Sequence, residues 1–320
     1  MRIPPNFFSI PFGLAGLTEA WDAARPLVDV SRWVVYALAL LTAMVWLVVT
    51  VAYVSQGTRR LVADLRDTVL SPFVSIAFIV PMILGVELAM VAPTAGRVVV
   101  VIFLIATALL GGWLTGQWIV EDIPQENEHP GYFLPTVAGA LIGSYSAAAV
   151  HLDGIAATTF GAGIISWLML GSTILNRLFF RRTLAPPLIP TLAIEIAPPA
   201  VAGVAYFALH GDAIDSLALA LGGYAILMAL VQLRFLPLYR KAGFSPAFWS
   251  FAFSYATVAV DALVWLRITR PAGATGYGIA VLALVTALLA AIGIRTAVAL
   301  RRREFVPPRA PAGQVLALTG

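Results

Sequence analysis

The ionisable residues that could do chemistry in this chain are few and far apart. Glu87 and Glu195 lie inside long apolar runs, where an ionised side chain costs about 2.5 to 3.5 kcal/mol. Such residues are functional candidates by default. The sequence favours neither of two interpretations of Glu195: a proton-sensitive site, or a neutral, hydrogen-bonded structural carboxyl. Glu19, Asp22 and Asp261 lie near the ends of apolar runs, so we expect them to be solvated or bonded to a neighbouring helix.

Motifs for covalent, metal or nucleotide chemistry are absent from the sequence. The chain has no cysteine, which excludes disulfides and thiolate chemistry. Three histidines, which we expect at the surface, lack metal-ligand spacing such as HExxH: His129, His151 and His210. Gly161-Ala-Gly163 lacks the third glycine of a dinucleotide site, and no GxxxxGK[ST] occurs. We therefore expect no enzyme activity, no metal and no cofactor.

The composition indicates an integral membrane protein. Of the 320 residues 60% are hydrophobic and 11% charged, whereas soluble domains are about 25% charged. Apolar runs of about 20 residues span a bilayer as helices. Such runs occupy roughly 6–24, 30–54, 72–91, 97–119, 131–150, 154–178, 188–209, 213–236, 245–268 and 274–300. We expect an all-α domain of ten transmembrane helices over residues 1–303, followed by a disordered cytoplasmic tail, 304–320.

The distribution of Lys and Arg predicts the orientation of these helices. With the N-terminus in the cytoplasm, fifteen of the twenty Lys and Arg residues fall on the cytoplasmic side, as the positive-inside rule requires. The other five are Arg25, Arg32, Arg97, Arg267 and Arg270. We expect a multi-pass protein of the plasma (inner) membrane with both termini in the cytoplasm. Consecutive helices then pair as five antiparallel hairpins, and nothing indicates a nucleic-acid partner.

A proline followed by small residues recurs in four odd-numbered runs, after Pro11, Pro81, Pro135 and Pro199. Proline kinks a helix and frees a carbonyl group, which membranes tolerate only beside protein or a wet cavity. One such proline would indicate close packing, but four in phase favour an inner ring around a narrow passage. The fifth odd-numbered run has Phe253 where the others have proline. The proline-free even-numbered runs would face lipid.

Five stretches of this chain resemble the TehA and plant slow-type anion channel family, which is also described as tellurite-resistance and C4-dicarboxylate transporters. The resemblance runs from about Pro4 to Leu300. The stretches are FFSIPFGLAGL (7–17), HPGYFLPTVAG (129–139), FGAGIISWL (160–168), IEIAPPAVAG (194–203) and WSFAFSYATVA (249–259). Their order and spacing together are more specific than any single stretch.

The resemblance implies a fold and a set of site residues. It implies five hairpins in quasi-fivefold arrangement, with odd-numbered helices around a central anion pore, and a homotrimer with one pore per subunit. Phe253 would close the pore as a phenylalanine gate, although by residue type alone its aromatic cluster would be packing. Including the recurring prolines and glycines, the expected pore-lining residues are Ser9, Ile10, Gly13, Pro81, Gly85, Pro135, Gly139, Pro198, Pro199 and Gly203.

Two functions remain open at the level of the sequence. The first is a gated channel for small monovalent anions such as chloride or nitrate. The second is a proton-coupled secondary transporter that exports C4-dicarboxylates or tellurite-like oxyanions and uses Glu195 as its proton-sensitive residue. Transporter flux should saturate and depend on the proton gradient, whereas channel current should follow the anion gradient.

Overall fold

The computed structural model describes residues 3–302 and 304–305, and every regular element among them is a helix. Residues 306–320, most of the expected tail, lie outside the described residues. The α-helices are α1 (Ser9–Ala24), α2 (Arg32–Val54), α3 (Thr58–Arg66), α4 (Ser71–Val74), α5 (Ile76–Ala89), α6 (Pro93–Val120), α7 (Gly139–Ala149), α8 (Asp153–Phe180), α9 (Ala197–His210), α10 (Ser216–Lys241), α11 (Trp249–Thr269) and α12 (Ala274–Arg301).

Short 3₁₀ and π segments precede or connect several of these helices. The 3₁₀ segments are Pro5–Phe8, Gln125–Asn127, Pro130–Tyr132, Pro186–Ile196 and Pro246–Phe248. Leu134–Ala138 is a π-helix that contains Pro135. Proline lacks the N–H group that continues an α-helical ladder, so the irregular turns coincide with the proline-rich parts of the buried runs.

Among the described residues, eight helical segments are long and apolar enough to cross a membrane: Arg32–Val54, Ser71–Ala89, Pro93–Val120, Asp153–Phe180, Pro186–His210, Ser216–Lys241, Pro246–Thr269 and Ala274–Arg301. The first and fifth apolar runs are divided into shorter pieces. The first is Pro5–Phe8 with α1, and the fifth ends in the π-helix and α7. The expected all-helical, multi-pass membrane protein is confirmed.

Burial separates the helices into two sets. Between 17% and 28% of each apolar stretch in α2, α6, α8, α10 and α12 is buried, against 61% to 89% in Ser71–Ala89, Pro186–His210 and Pro246–Thr269. Most residues of α1 and α7 are also buried. The odd-numbered apolar runs therefore form the core, and the even-numbered runs cover it. The expectation that the covering helices lack proline has one exception, because Pro237 lies inside α10.

The five buried helices form a closed circuit of contacts. α1 contacts α5, α5 contacts α7, α7 contacts α9, α9 contacts α11, and α11 returns to α1. Each of them also contacts the long helix that follows it in the chain: α2, α6, α8, α10 or α12. The centre of this circuit is therefore enclosed by residues from all five buried helices.

Glycines bring α1 and α11 unusually close together. A Cβ atom at Gly13 would lie 2.5 Å from the Cβ of Ala252, and one at Gly16 would lie 2.8 Å from the Cβ of Ala256. Both distances are shorter than real Cβ atoms allow, so neither position accepts a side chain without movement. The close approach holds the Phe253 ring against α1.

Candidate functional site

The first of two small cavities lies inside the circuit of buried helices. Its volume is about 30 Å³, and a water requires about 10 to 15 Å³. Its wall is almost entirely apolar and draws on every buried segment. Examples are Phe12 of α1, Ile76 of α5, Leu141 of α7, Val201 of α9 and Ser254 of α11.

The second cavity has a volume of about 40 Å³ and is again lined from all five buried helices. Its lining includes Glu19 of α1, Ile83 of α5, Tyr145 of α7, Val204 of α9 and Thr257 of α11. Among the described residues, α2, α6, α8, α10 and α12 contribute to neither lining. The two cavities thus belong to the interior of one helix circuit.

Phe253 and Val201 line both cavities. The Phe253 side chain is buried, and its ring stacks on that of Phe12 with centroids 3.5 Å apart and planes at 9°. Phe253 and Val201 thus border two spaces that each have room for only a few waters.

Three of the expected site residues come together at the first cavity: Ser9, Pro198 and Phe253. Ile10 is half-buried and packs on the apolar core. Other expected residues lie outside both linings, and the three prolines among them are buried: Pro81, Pro135 and Pro199. The prolines shape the backbone, while side chains on neighbouring positions face the cavities.

The expected glycines lie where helices touch each other. A Cβ atom at Gly85 would lie 2.9 Å from Val100, and one at Gly139 would lie 2.7 Å from Thr107, both on α6. Gly203 faces the Asp261 carboxyl of α11. Small residues are required where backbones approach, so these glycines serve helix packing in this structure.

Several residues of the cavity walls were not singled out from the sequence: Phe12, Val201, Tyr145 and Thr257. Phe12 directly follows Pro11 in a stretch that carries the family resemblance, and this position could have identified Phe12 as a candidate. The others occupy ordinary aliphatic or polar positions, and the tertiary packing alone places them together.

Glu19 contributes a carboxyl group to the wall of the second cavity. Tyr145 of α7 donates a hydrogen bond to the Glu19 carboxyl. Of the two expectations for Glu19, a bond to a neighbouring helix is therefore the one that the structure shows. Its Oε1 atom is buried and has no hydrogen-bond partner among the described residues. Glu87 of α5 lies close enough to repel an ionised Glu19. Nearer the helix end, Asp22 pairs with Arg25 at 2.9 Å.

Glu195 is buried but lies in neither cavity lining. Its charge acts on Tyr224 and Tyr239 of α10. A polar network lies on the same side of the helix circuit, where Gln232 donates to the Leu192 carbonyl at 3.0 Å and accepts from the Tyr239 hydroxyl at 2.7 Å. Glu195 therefore lies near the covering helix α10.

The expectation that all three histidines lie at the surface is wrong for His129, which is fully buried. Its two ring nitrogens contact the Val69 carbonyl and the Gly131 N–H, each at 3.1 Å. Both polar atoms are thereby satisfied, and burial lowers the pKa of His129 to about 4. His151 and His210 are exposed.

Two cavities enclosed by apolar helices long enough to cross a membrane, with Phe253 in the wall of both, form the candidate site. The sequence matches the model of the voltage-dependent anion channel (SLAC1) family over residues 2–297, and the chain belongs to this family, whose members transport anions across membranes. The predicted family is confirmed. The chain is also similar to the tellurite resistance protein TehA homolog of Haemophilus influenzae, with 28% identity over 265 residues that cover 81% of this chain and 80% of that protein.

Proposed function

We propose that this protein is a gated channel for small monovalent anions such as chloride or nitrate. The observation that carries the proposal is that Phe253 forms the shared wall of two cavities, each lined from all five buried helices. In a family of anion transport proteins, such a ring is placed to block and release a central path.

The proposed architecture is a single domain, residues 1–303, of ten transmembrane helices in five hairpins with quasi-fivefold arrangement. The first and fifth crossings would be the broken segments that end in α1 and α7. The closed circuit of the buried helices, each packed on its successor in the chain, supports this architecture. The central axis of the circuit would be the pore.

In this mechanism, Phe253 closes the pore and Phe12 completes the closure. Opening moves the Phe253 ring away from Phe12, so the two cavities merge. Ser9 and Pro198 line the path directly. The remaining expected lining residues shape the helices around it: Ile10, Gly13, Pro81, Gly85, Pro135, Gly139, Pro199 and Gly203. An anion that leaves a cell with a negative interior gains about 2.3 kcal/mol per 100 mV, so no coupling ion is needed.

We place the protein in the plasma (inner) membrane as a homotrimer with one pore per subunit and both termini in the cytoplasm. The excess of Lys and Arg in the loops on one side supports the orientation. The trimer rests on the family resemblance. Light scattering of the purified protein in detergent should give the mass of three 34.0 kDa chains, and a monomeric mass for folded protein would contradict the trimer.

The second candidate is a proton-coupled transporter of C4-dicarboxylates or tellurite-like oxyanions. One observation favours it: Glu19, in the wall of the second cavity, has a buried carboxyl oxygen with no hydrogen-bond partner in the described part of the chain. A carboxyl in that position repels an anion when ionised and accepts it when protonated. Glu195 lies outside both linings, so Glu19 would be the proton-carrying residue of this candidate.

Anion-substitution currents of the purified protein in lipid bilayers, measured at two pH values, distinguish the two functions. For a channel, the reversal potential follows the anion gradient, and a proton gradient alone drives no current. For a transporter, flux saturates with anion concentration and follows the proton gradient. That coupling should disappear in Glu19→Gln and persist in the matched control Glu195→Gln. Proton-coupled, saturating flux would contradict the channel.

A further inference from the structure

A third cavity lies apart from the helix circuit, at the C-terminal end of α8. Its volume is about 220 Å³, enough for many waters at about 10 to 15 Å³ each. The lining comes from α8 and from the loop before the fifth apolar run, and it shares no residue with the other two cavities. Polar and charged side chains form most of this wall, in contrast to the two apolar cavities.

Arg177 is the buried cation of this wall. Its side chain is only 5% exposed, and its Nε–H donates to the Gln125 carbonyl at 3.3 Å. Its Nη1 atom is buried without a hydrogen-bond partner among the described residues. An unsatisfied buried donor costs about 1 to 3 kcal/mol, and more when it is charged. An acceptor inside the cavity would remove this cost.

The other polar groups of the lining also favour an anionic ligand. Arg181 adds a second guanidinium group, and Asn176 adds an amide. Glu128 is the one carboxylate in the wall. Burial raises the pKa of Glu128, while the nearby Arg177 acts in the opposite direction. Glu128 offsets one of the two arginines, which leaves the cavity with a net positive charge.

We propose that this cavity binds a phosphate group, supplied by the headgroup of an anionic phospholipid or by free phosphate. Guanidinium groups match the geometry of phosphate oxygens and bind them through paired hydrogen bonds. Phe180, which also lines the cavity, is 77% exposed on a covering helix. An acyl chain could therefore lie beside the bound headgroup. The proposal is independent of the gate at Phe253.

The test uses the full-length purified protein and two probes. Native mass spectrometry compares retention of phosphatidylglycerol and phosphatidylcholine. Thermal unfolding in lipid-free detergent compares inorganic phosphate with chloride at equal ionic strength, since a bound ligand raises Tm. Arg181→Gln is the variant that tests the cavity most directly, because Arg181 is exposed and its loss should leave the fold intact. The matched control is Arg182→Gln, which removes an equal charge at the next residue, outside the cavity lining.

We expect Arg181→Gln to weaken binding about fivefold, the effect of one cation near a membrane surface, and Arg182→Gln to resemble the wild type. Arg177→Gln should lose most of the binding. Preferential retention of phosphatidylglycerol identifies a lipid site, and a Tm increase with phosphate alone identifies a site for free phosphate. Equal weakening by Arg181→Gln and Arg182→Gln, or no preference with either probe, would overturn the proposal.

Discussion

Among the aromatic side chains, Phe12 and Phe253 are distinguished by what surrounds them. Their rings stack face to face and both border the first cavity. Phe251, on the same helix as Phe253, instead packs on Tyr239 and Tyr255 with centroids 4.6 and 5.9 Å away. The two faces of α11 therefore differ: one borders the cavities through Phe253, and the other packs against neighbouring rings.

Removal of the Phe12 ring should weaken the closure from the α1 side. Phe12 borders one cavity and Phe253 borders both, so we expect the anion current of Phe12→Ala to lie between those of the wild type and Phe253→Ala. Planar-bilayer recordings at equal protein density measure this order. A current in Phe12→Ala no larger than in the control Phe251→Ala would show that Phe12 is packing only.

His129 should make folding stability depend on pH. Burial lowers its pKa from 6.5 to about 4, so between these values the unfolded chain binds a proton that the folded protein does not. Stability therefore falls as the pH decreases from 6.5 to 4, by about 3 kcal/mol in total.

Thermal unfolding in detergent across this pH range measures the effect of His129. The His129→Asn variant lacks the titrating group and should show a flatter pH dependence, whereas the exposed His151→Asn should keep the wild-type dependence. Equal slopes in His129→Asn and the wild type would contradict the assignment to His129.

At the scale of helices, the small residues between α1 and α11 determine how closely Phe253 packs against α1. A Cβ atom at Gly16 would lie 2.8 Å from the Cβ of Ala256 and 3.2 Å from Cδ2 of Phe253. We expect Gly16→Ala to lower the free energy of unfolding by about 1 to 3 kcal/mol, the usual cost of overpacking. Gly112→Ala on α6 is the control, because its Cβ would meet open space. Equal Tm values for the two variants would contradict this packing.

The sequence predicted the helical runs better than it predicted the direction of individual side chains. Hydropathy identified every buried and every covering segment, because burial in lipid or protein requires apolar residues over the whole length. It could not reveal that Pro186–Ile196 is a 3₁₀ helix, which turns every 3.0 residues instead of 3.6. An α-helical projection of this segment is therefore out of phase, and Glu195, expected at the pore, lies outside both cavity linings.

The sequence also predicted only part of the candidate site, because it does not show which way each side chain points. Phe253 was identified as the aromatic exception among proline-containing runs, and Ser9 and Pro198 join it at the first cavity. The recurring glycines are recognisable in a sequence, but they lie where helices touch. The cavity walls consist of neighbours such as Val201 and Ile83, whose residue types do not distinguish them from the rest of the core.

At the scale of the whole molecule, three features occur together: a circuit of five buried helices, a cover of five apolar, mostly exposed helices, and an aromatic ring in the wall of both enclosed cavities. The circuit isolates an interior from lipid, and the apolar walls give an anion few ligands. Weak binding of this kind suits conduction. The central claim is that Phe253 closes this interior to anions.

The most direct test is the macroscopic anion current of Phe253→Ala in planar bilayers, compared with the wild type and Phe251→Ala at equal protein density. The control removes the same ring from the same helix, outside both cavity linings. We predict a large, anion-selective increase in Phe253→Ala, with Phe251→Ala close to the wild type. A current in folded Phe253→Ala that equals the wild-type current would contradict the account.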